Sequence, residues 1–311
     1  MHIPSLRSAV YGLAAALLLT GSVMAQTRTI ETTFGPVEIP ENPQRIITTH
    51  YIATQPLVEL GVLPVGQGRI DEANTPFWDQ ISDIPFISEG VEINVEQVAA
   101  LQPDLIFSIN LADEQQLAQL REIAPVIVIG IRGADRSNWQ NRVHQIADAV
   151  NKLPEYEELE TQLAARQQQI KTDYADVLAN ENFSVFSVWT PGQPVVFTSE
   201  SMSGKILTGA GAQYAPASEA LALPEGADVN LSEETLGDAL VDSKNVLYNI
   251  NLDGSDNPAT AEFKQSAVYE AIPAVAAGRS FPIGKLTIAG FADANFILDN
   301  FEKALANISG K

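Results

Sequence analysis

Polar and aromatic side chains follow several apolar segments of the chain, at positions where strands are expected to end. They are His50, Tyr51, Arg69, Arg132, Trp139, Trp189, Asn249 and Lys285. The planar guanidinium of Arg grips carboxylate or phenolate oxygens with two parallel hydrogen bonds. Trp and Tyr add flat apolar area with a polar tip. We therefore predict that these residues contact a ligand.

Direct metal coordination finds little support in the composition. Beyond residue 25 the chain contains two His, His50 and His144, and it contains no Cys. A zinc or manganese site would need a cluster of His and acidic ligands, so a His-based cage is nearly excluded. A ferric site built from several Tyr stays open by count, although the seven Tyr are scattered along the sequence.

Catalytic motifs are absent from the sequence. The segments "GQGRIDEAN" and "GAGAQ" contain Gly but lack the Lys of a phosphate-binding loop, and no G-x-S-x-G nucleophile motif occurs. The acidic residues form no distinct pair. We therefore predict a binding protein and not an enzyme.

Helical segments alternate with short, continuously apolar segments. "NVEQVAALQ" has helical spacing, and Asn94 with Gln97 resembles a capping box. Pro103 cannot continue this helix, and "DLIFSIN" follows at once as a strand. Continuously apolar strands are typical of parallel sheets covered by helices on both faces. The sequence thus predicts an α/β fold, with ligands bound at the carboxyl edge of the strands.

One long helix is predicted between two halves of the chain. Residues 151–181 contain an apolar stripe at helical spacing, and neither Gly nor Pro interrupts it after Pro154. We predict an N-terminal lobe over 26–150 and a C-terminal lobe over 182–311, joined by this connecting helix. The fold class is α/β, with two lobes of mainly parallel sheets covered by helices.

Residues 1–25 are typical of a secretory signal peptide. An Arg precedes the apolar stretch "AVYGLAAALLL", and Val23 and Ala25 are small residues suited to a cleavage site. The apolar run is shorter than the roughly 20 residues of a membrane span, which disfavours an N-terminal anchor. Without Cys, a lipid anchor on Cys is excluded, and the chain depends on its core for stability.

The net charge of −21 also limits the possible partners. Such an acidic surface is repelled by nucleic acid and by anionic membranes, so neither is expected to bind. A few Arg in a cleft can still attract an anionic ligand.

Five segments in order resemble the periplasmic binding proteins of ABC importers for ferric siderophores, haem and cobalamin. They are "GPVEIPENPQRIITTH", "VELGVLPVG", "NVEQVAALQPDLIF", "REIAPVIVI" and "IPAVAAGR". The similarity covers nearly all of the chain beyond residue 25. It implies two lobes joined by a rigid helix, a ligand in the cleft between them, and docking onto an inner-membrane ABC permease.

The resemblance also implies roles for individual residues. One surface Glu in each lobe would grip the permease, which points to Glu96 and, within "SEETL", to Glu234, with the adjacent Glu233 as the alternative. We predict a periplasmic, monomeric protein for a ferric siderophore. It would need no cofactor, because ferric iron is bound only as the siderophore chelate. Haem and cobalamin are the alternative ligands.

Overall fold

A computed structural model describes residues 26–70, 72–133, 136–223 and 228–310. The predicted signal peptide, residues 1–25, lies outside the described residues.

The first lobe contains eight strands and five helices among its described residues, with a short 3₁₀ helix at Glu72–Asn74. The strands are β1 (Thr27–Ile30), β2 (Val37–Pro40), β3 (Ile46–Thr48), β4 (Gln67–Gly68), β5 (Phe86–Glu89), β6 (Glu92–Ile93), β7 (Leu105–Ile109) and β8 (Val126–Ile129). The helices are α1 (Tyr51–Glu59), α2 (Trp78–Ile81), α3 (Val95–Ala100), α4 (Glu114–Arg121) and α5 (Trp139–Ala149).

The central sheet of this lobe is parallel. β7 lies between β3 and β8 and pairs with both in parallel. A parallel bridge from Ile47 to Gly66 extends the sheet toward β4, which pairs in parallel with β5. β1 with β2, and β5 with β6, form antiparallel pairs. The buried apolar strands predicted from the sequence are thus found in a parallel sheet.

The abrupt change from α3 to β7 depends on a side-chain interlock. The carboxylate of Asp104 accepts hydrogen bonds from the backbone N–H groups of Gln44 and Arg45, at 2.7 and 2.8 Å. Arg45 in turn donates from Nε to the carbonyl of Gln102, at 3.0 Å. Gln102 has a φ of 48°, a left-handed conformation that ends the helix just before Pro103. The interlock aligns the start of β3 with the start of β7.

The connecting segment contains two helices where the sequence predicts one over 151–181. They are α6 (Leu153–Asp173) and α7 (Ala175–Asn180), and Tyr174 between them has φ −118° and ψ 23°. The backbone N–H of Tyr174 still donates to Ile170, and its carbonyl accepts from Leu178, at 3.1 and 3.0 Å. The helical path is therefore interrupted for a single residue.

The second lobe is built on one five-stranded sheet. Its strands are β9 (Phe183–Thr190), β10 (Gln193–Phe197), β11 (Val229–Asn230), β12 (Asn245–Tyr248) and β13 (Ser280–Pro282). Its helices are α8 (Met202–Gly209), α9 (Pro216–Glu219), α10 (Glu233–Ala239), α11 (Pro258–Phe263), α12 (Ala267–Ala271), α13 (Pro273–Ala276) and α14 (Phe291–Ser309). The strand order is β11-β10-β9-β12-β13, parallel from β9 to β13 and antiparallel at β10 and β11.

The C-terminal helix α14 ties the two lobes together. Phe301 packs edge-on against Phe183 of β9, with ring centroids 5.2 Å apart. At its other end, Phe291 packs edge-on against Trp139 of α5, at 5.1 Å. One apolar cluster therefore runs from the first lobe through α6 and α14 into the second. This arrangement confirms the predicted α/β fold of two helix-covered sheets.

Candidate functional site

A cavity of about 310 Å³ lies between the two lobes. The first lobe lines it with Tyr51, Arg69, Ile70 and Asn74. The second lobe lines it with Trp189, Asn249, Asn251, Asn257, Lys285, Leu286 and Thr287. The cavity thus contains five of the residues that the sequence predicted as ligand contacts: Tyr51, Arg69, Trp189, Asn249 and Lys285.

The strand order explains why these residues meet. β9, β12 and β13 are parallel, so their carboxyl ends share one edge of the sheet. Trp189 lies near the end of β9, Asn249 directly follows β12, and Lys285 follows β13. Arg69 directly follows β4 in the opposite lobe. Ligand sites of open α/β sheets lie at this edge.

Asn249 presents a free amide to the cavity. The residue is 6% exposed, and its side chain makes no hydrogen bond to any described residue. Its backbone N–H donates to Phe186 of β9 at 3.3 Å, which holds the residue in place. Because Asn249 lines the cavity and its amide offers both a donor and an acceptor, this group is suited to bind a polar atom of a ligand.

Trp189 is the most exposed aromatic residue of the cavity. Its side chain is 44% exposed and packs edge-on against Phe197, with ring centroids 5.6 Å apart. Phe197 thus holds the indole in place, and the exposed part of the ring is available to an apolar part of a ligand.

Lys285 is buried and connects the lobes. Its ammonium group forms an ion pair with Asp293 of α14 at 3.3 Å. It also donates to the side chain of Gln55 and to the carbonyl of Asn74, both in the first lobe, at 3.3 and 3.2 Å. The ammonium lies 4.7 Å from the ring centroid of Tyr51. Lys285 therefore links the two lobes through its hydrogen bonds and also contributes positive charge to the cavity.

His50 caps α1 and does not line the cavity. β3 ends at Thr48, and His50 is the N-cap of the following helix. Its Nδ1 accepts from the N–H of Ile52 at 3.3 Å. Burial and the nearby Lys285 lower the pKa of His50 to about 4, so the ring is neutral at physiological pH. The prediction of direct ligand contact by His50 gains no support from this position.

Trp139 and Arg132 also lie away from the cavity. Trp139 is 2% exposed and packs in the core against Phe291, a partner from the far end of the chain. Arg132 is exposed, and its backbone carbonyl accepts from the side chain of Asn110 at 3.0 Å. Neither residue lines the cavity, so the predicted ligand contacts of Trp139 and Arg132 gain no support from these positions.

Glu59 joins the two lobes, a contact that the sequence analysis missed. It ends α1, and its carboxylate accepts from the N–H groups of Phe291 and Ala292 at 2.8 and 2.7 Å, at the start of α14. Burial raises the pKa of Glu59 to about 7, although both N–H donors oppose the shift. The sequence does contain an indication of this contact. Glu59 lies in the apolar last turn "PLVEL" of a helix, where the helix dipole disfavours an anion, so its carboxylate needs a specific partner.

Glu96 and Glu234 occupy matching positions in the two lobes. Each is exposed and is the second residue of a short helix, after the side-chain N-caps Asn94 and Ser232. Asn94 accepts from the N–H of Gln97, but the reciprocal bond of a capping box is formed in α10 and not in α3. The matching register favours Glu234 over Glu233 as the counterpart of Glu96.

Among the residues that the structure describes, no group of three or more His, Cys, Asp or Glu side chains could hold a metal ion. Within the same part of the chain, no helix is both long and apolar enough to cross a membrane.

A sequence profile of the family described as "Periplasmic binding protein" matches residues 46–285, which include nearly all of the cavity-lining elements. The chain belongs to this family. The periplasmic binding protein is similar to a "Probable siderophore-binding lipoprotein" of Bacillus subtilis (strain 168), with 25% identity over 290 residues, 89% of this chain and 87% of that protein. It also matches an "Iron(3+)-hydroxamate-binding protein" of the same organism, with 32% identity over 129 residues, 42% of this chain and 37% of that protein.

A solved structure resembles the periplasmic binding protein over most of its length. It is the siderophore periplasmic binding protein from the fuscachelin gene cluster of Thermobifida fusca, with 27% identity and a TM-score of 0.72. The match covers 85% of this chain and 97% of that chain. The family identified from five short segments of sequence is thereby confirmed.

Proposed function

We propose that this protein captures a ferric siderophore in the cavity between its lobes and delivers it to an ABC permease. The observation that carries the proposal is the cavity itself, which both lobes line at the carboxyl edges of their parallel strands. Membership of the family and the siderophore-binding relatives support it.

The cavity chemistry fits a ferric chelate. Chelating groups such as hydroxamate, carboxylate and catecholate present oxygen atoms around the metal, and the linkers between them are partly apolar. Arg69 offers a charged donor, Asn249 a neutral amide, and Trp189 a flat apolar surface. Among the described residues that line the cavity, none is acidic, although the whole chain carries a net charge of −21. An anionic or neutral ligand is therefore favoured over a cation.

Iron is the cargo in this proposal and not a resident cofactor. All of its coordination positions would be filled by the siderophore, so the protein would recognise the outer surface of the chelate.

Glu96 and Glu234 are proposed to dock the two lobes onto the permease. They are exposed carboxylates at the same register of two equivalent short helices, one in each lobe. A permease with one cationic partner for each carboxylate would recognise the distance between the two lobes. We further propose that the protein works as a periplasmic monomer, in line with its acidic surface and with relatives described as lipoproteins or periplasmic binding proteins.

A binding screen tests this function. The purified protein is titrated with a ferric hydroxamate, a ferric catecholate, haem and cobalamin, and Trp fluorescence is recorded. Trp189 lies in the cavity, so a bound ferric chelate is expected to quench emission in a saturable manner. The iron-free siderophores serve as controls for each chelate. Saturable binding of haem or cobalamin alone would contradict the siderophore assignment, and no binding at all would contradict the proposed cargo class.

A further inference from the structure

Arg69 lies at the junction of the cavity with a second, neighbouring pocket. This side pocket has a volume of about 450 Å³. It is lined by Arg69, Ile70, Glu72, Trp78, Phe86, Glu89 and Gly90. Arg69 and Ile70 line both spaces, so the side chain of Arg69 can serve either of them.

In this structure the guanidinium of Arg69 is engaged in the side pocket. Its Nη1 lies 3.2 Å from Oε1 of Glu89, and its central carbon lies 5.3 Å from the ring centroid of Phe86. Both contacts belong to β5 and not to the inter-lobe cavity. The cation that is best placed to bind an anionic ligand is therefore already held by a carboxylate and an aromatic ring.

The ion pair between Arg69 and Glu89 is weak enough to be replaced by a contact between Arg69 and a ligand. The side chains of Arg69 and Glu89 are 56% and 71% exposed. Exposed ion pairs contribute only about 0.2–1 kcal/mol, because water screens both charges. A ligand carboxylate or phenolate inside the cavity is better shielded from water and can accept two hydrogen bonds from the planar guanidinium.

We propose that Glu89 competes with the ligand for Arg69, and so limits the preference of the cavity for anionic ferric chelates. The inference rests on the proposed function and names a specificity-determining residue for it. An anionic chelate must draw Arg69 away from Glu89, whereas a neutral chelate can bind and leave the ion pair intact. Glu89 acts through Arg69 and is therefore a positioning residue.

Glu92 provides a matched control. It lies in β6 directly opposite Glu89 in the antiparallel pair, is exposed, and forms no ion pair with a described residue. Glu92→Gln removes the same charge from the same hairpin but leaves the contacts of Arg69 unchanged. Any effect that Glu89→Gln and Glu92→Gln share is a long-range effect of charge.

The test uses two iron chelates of different charge. Ferric enterobactin carries three catecholate dianions around the metal and is trianionic, whereas ferrichrome carries three hydroxamate monoanions and is neutral. Glu89→Gln should tighten the binding of ferric enterobactin by about two- to fivefold, the equivalent of one exposed ion pair, and leave ferrichrome binding unchanged. Glu92→Gln should give a smaller gain. In an Arg69→Gln background, Glu89→Gln should have no more effect than Glu92→Gln.

Several outcomes would overturn the inference. Equal gains in Glu89→Gln and Glu92→Gln would show that only overall charge matters. A gain in Glu89→Gln that persists without Arg69 would show that the two residues are not coupled. Binding of ferrichrome alone by the wild type, with no ferric enterobactin binding gained in Glu89→Gln, would also refute it. A wild type that binds neither chelate contradicts the proposed function itself, which is seen before any variant is compared, and the inference falls with it.

Discussion

His50 and Glu59, at the two ends of α1, should have opposite effects on the pH dependence of stability. Burial lowers the pKa of His50 from 6.5 to about 4 and raises the pKa of Glu59 from 4.5 to about 7. Between about pH 4.5 and 6.5, the folded protein carries a proton on Glu59 and none on His50. The unfolded chain carries it on His50 and not on Glu59. Folding thus moves one proton from His50 to Glu59 and leaves the number of bound protons unchanged.

Single substitutions should reveal the separate contributions of His50 and Glu59 to the change of the unfolding free energy with pH. Each proton bound differently by the folded and unfolded states changes the free energy of unfolding by at most about 1.4 kcal/mol per pH unit. His50→Asn keeps a helix N-cap but removes the titrating ring, so Glu59 alone remains. Because the folded state then binds more protons, stability should fall by about 1 kcal/mol from pH 5 to 6. Glu59→Gln leaves His50 alone, and stability should rise by a similar amount over the same range.

Urea denaturation of the wild type and both variants at about pH 5, 5.5 and 6, followed by Trp fluorescence, measures these slopes. The comparison between variants cancels the titration of groups elsewhere in the chain. Slopes that equal that of the wild type in both variants would refute the reasoning, because neither group would then have a shifted pKa. If the slopes of both variants differ from the wild-type slope in the same direction, the opposing contributions of His50 and Glu59 are refuted.

Three further predictions concern the cavity and the docking surface. Asn249→Ala should weaken chelate binding about two- to tenfold in a titration, with little effect on stability, because the lost amide bonds no protein group. Lys285→Met should lower the free energy of unfolding by about 3–5 kcal/mol, since it leaves Asp293 buried without its cation, and adding Asp293→Asn should restore part of the loss. Charge reversal at both Glu96 and Glu234 should abolish siderophore-dependent iron uptake while chelate affinity stays unchanged; a loss of affinity would contradict the docking role.

Local sequence signals located most of the strands and helices. Continuous apolar runs such as "DLIFSIN" and "PVIVIGI" correspond to β7 and β8, because a buried parallel strand needs apolar side chains on both faces. Gly61, just beyond the end of α1, has a φ of 77°, a left-handed conformation that Gly adopts without strain and that marks the end of the helix in the sequence. The carboxyl ends of other strands, β3, β4, β9, β12 and β13, located the five cavity residues.

Contacts between distant segments could not be obtained in this way. Trp139 comes directly after a loop, which is where cleft residues are expected. Only its contact with Phe291 of α14, a distant segment of the chain, shows that it is buried. Lys285 was expected to face a ligand, but its partners Gln55 and Asn74 lie more than 200 residues earlier in the chain. The two-helix division at Tyr174 also has no signal in the spacing of apolar residues. Local periodicity specifies an element, whereas tertiary packing decides what each side chain meets.

The lobes also meet through the main chain, at a position beside the cavity. The backbone N–H of Leu252 donates to the carbonyl of Ala73 in the short 3₁₀ helix, at 2.9 Å. Because neither group belongs to a side chain, almost any amino acid at these two positions preserves the link, with Pro at 252 as the exception. The side chains at positions 73 and 252 can thus vary during evolution, or in the design of new receptors, while this hydrogen bond still joins the two lobes beside the cavity.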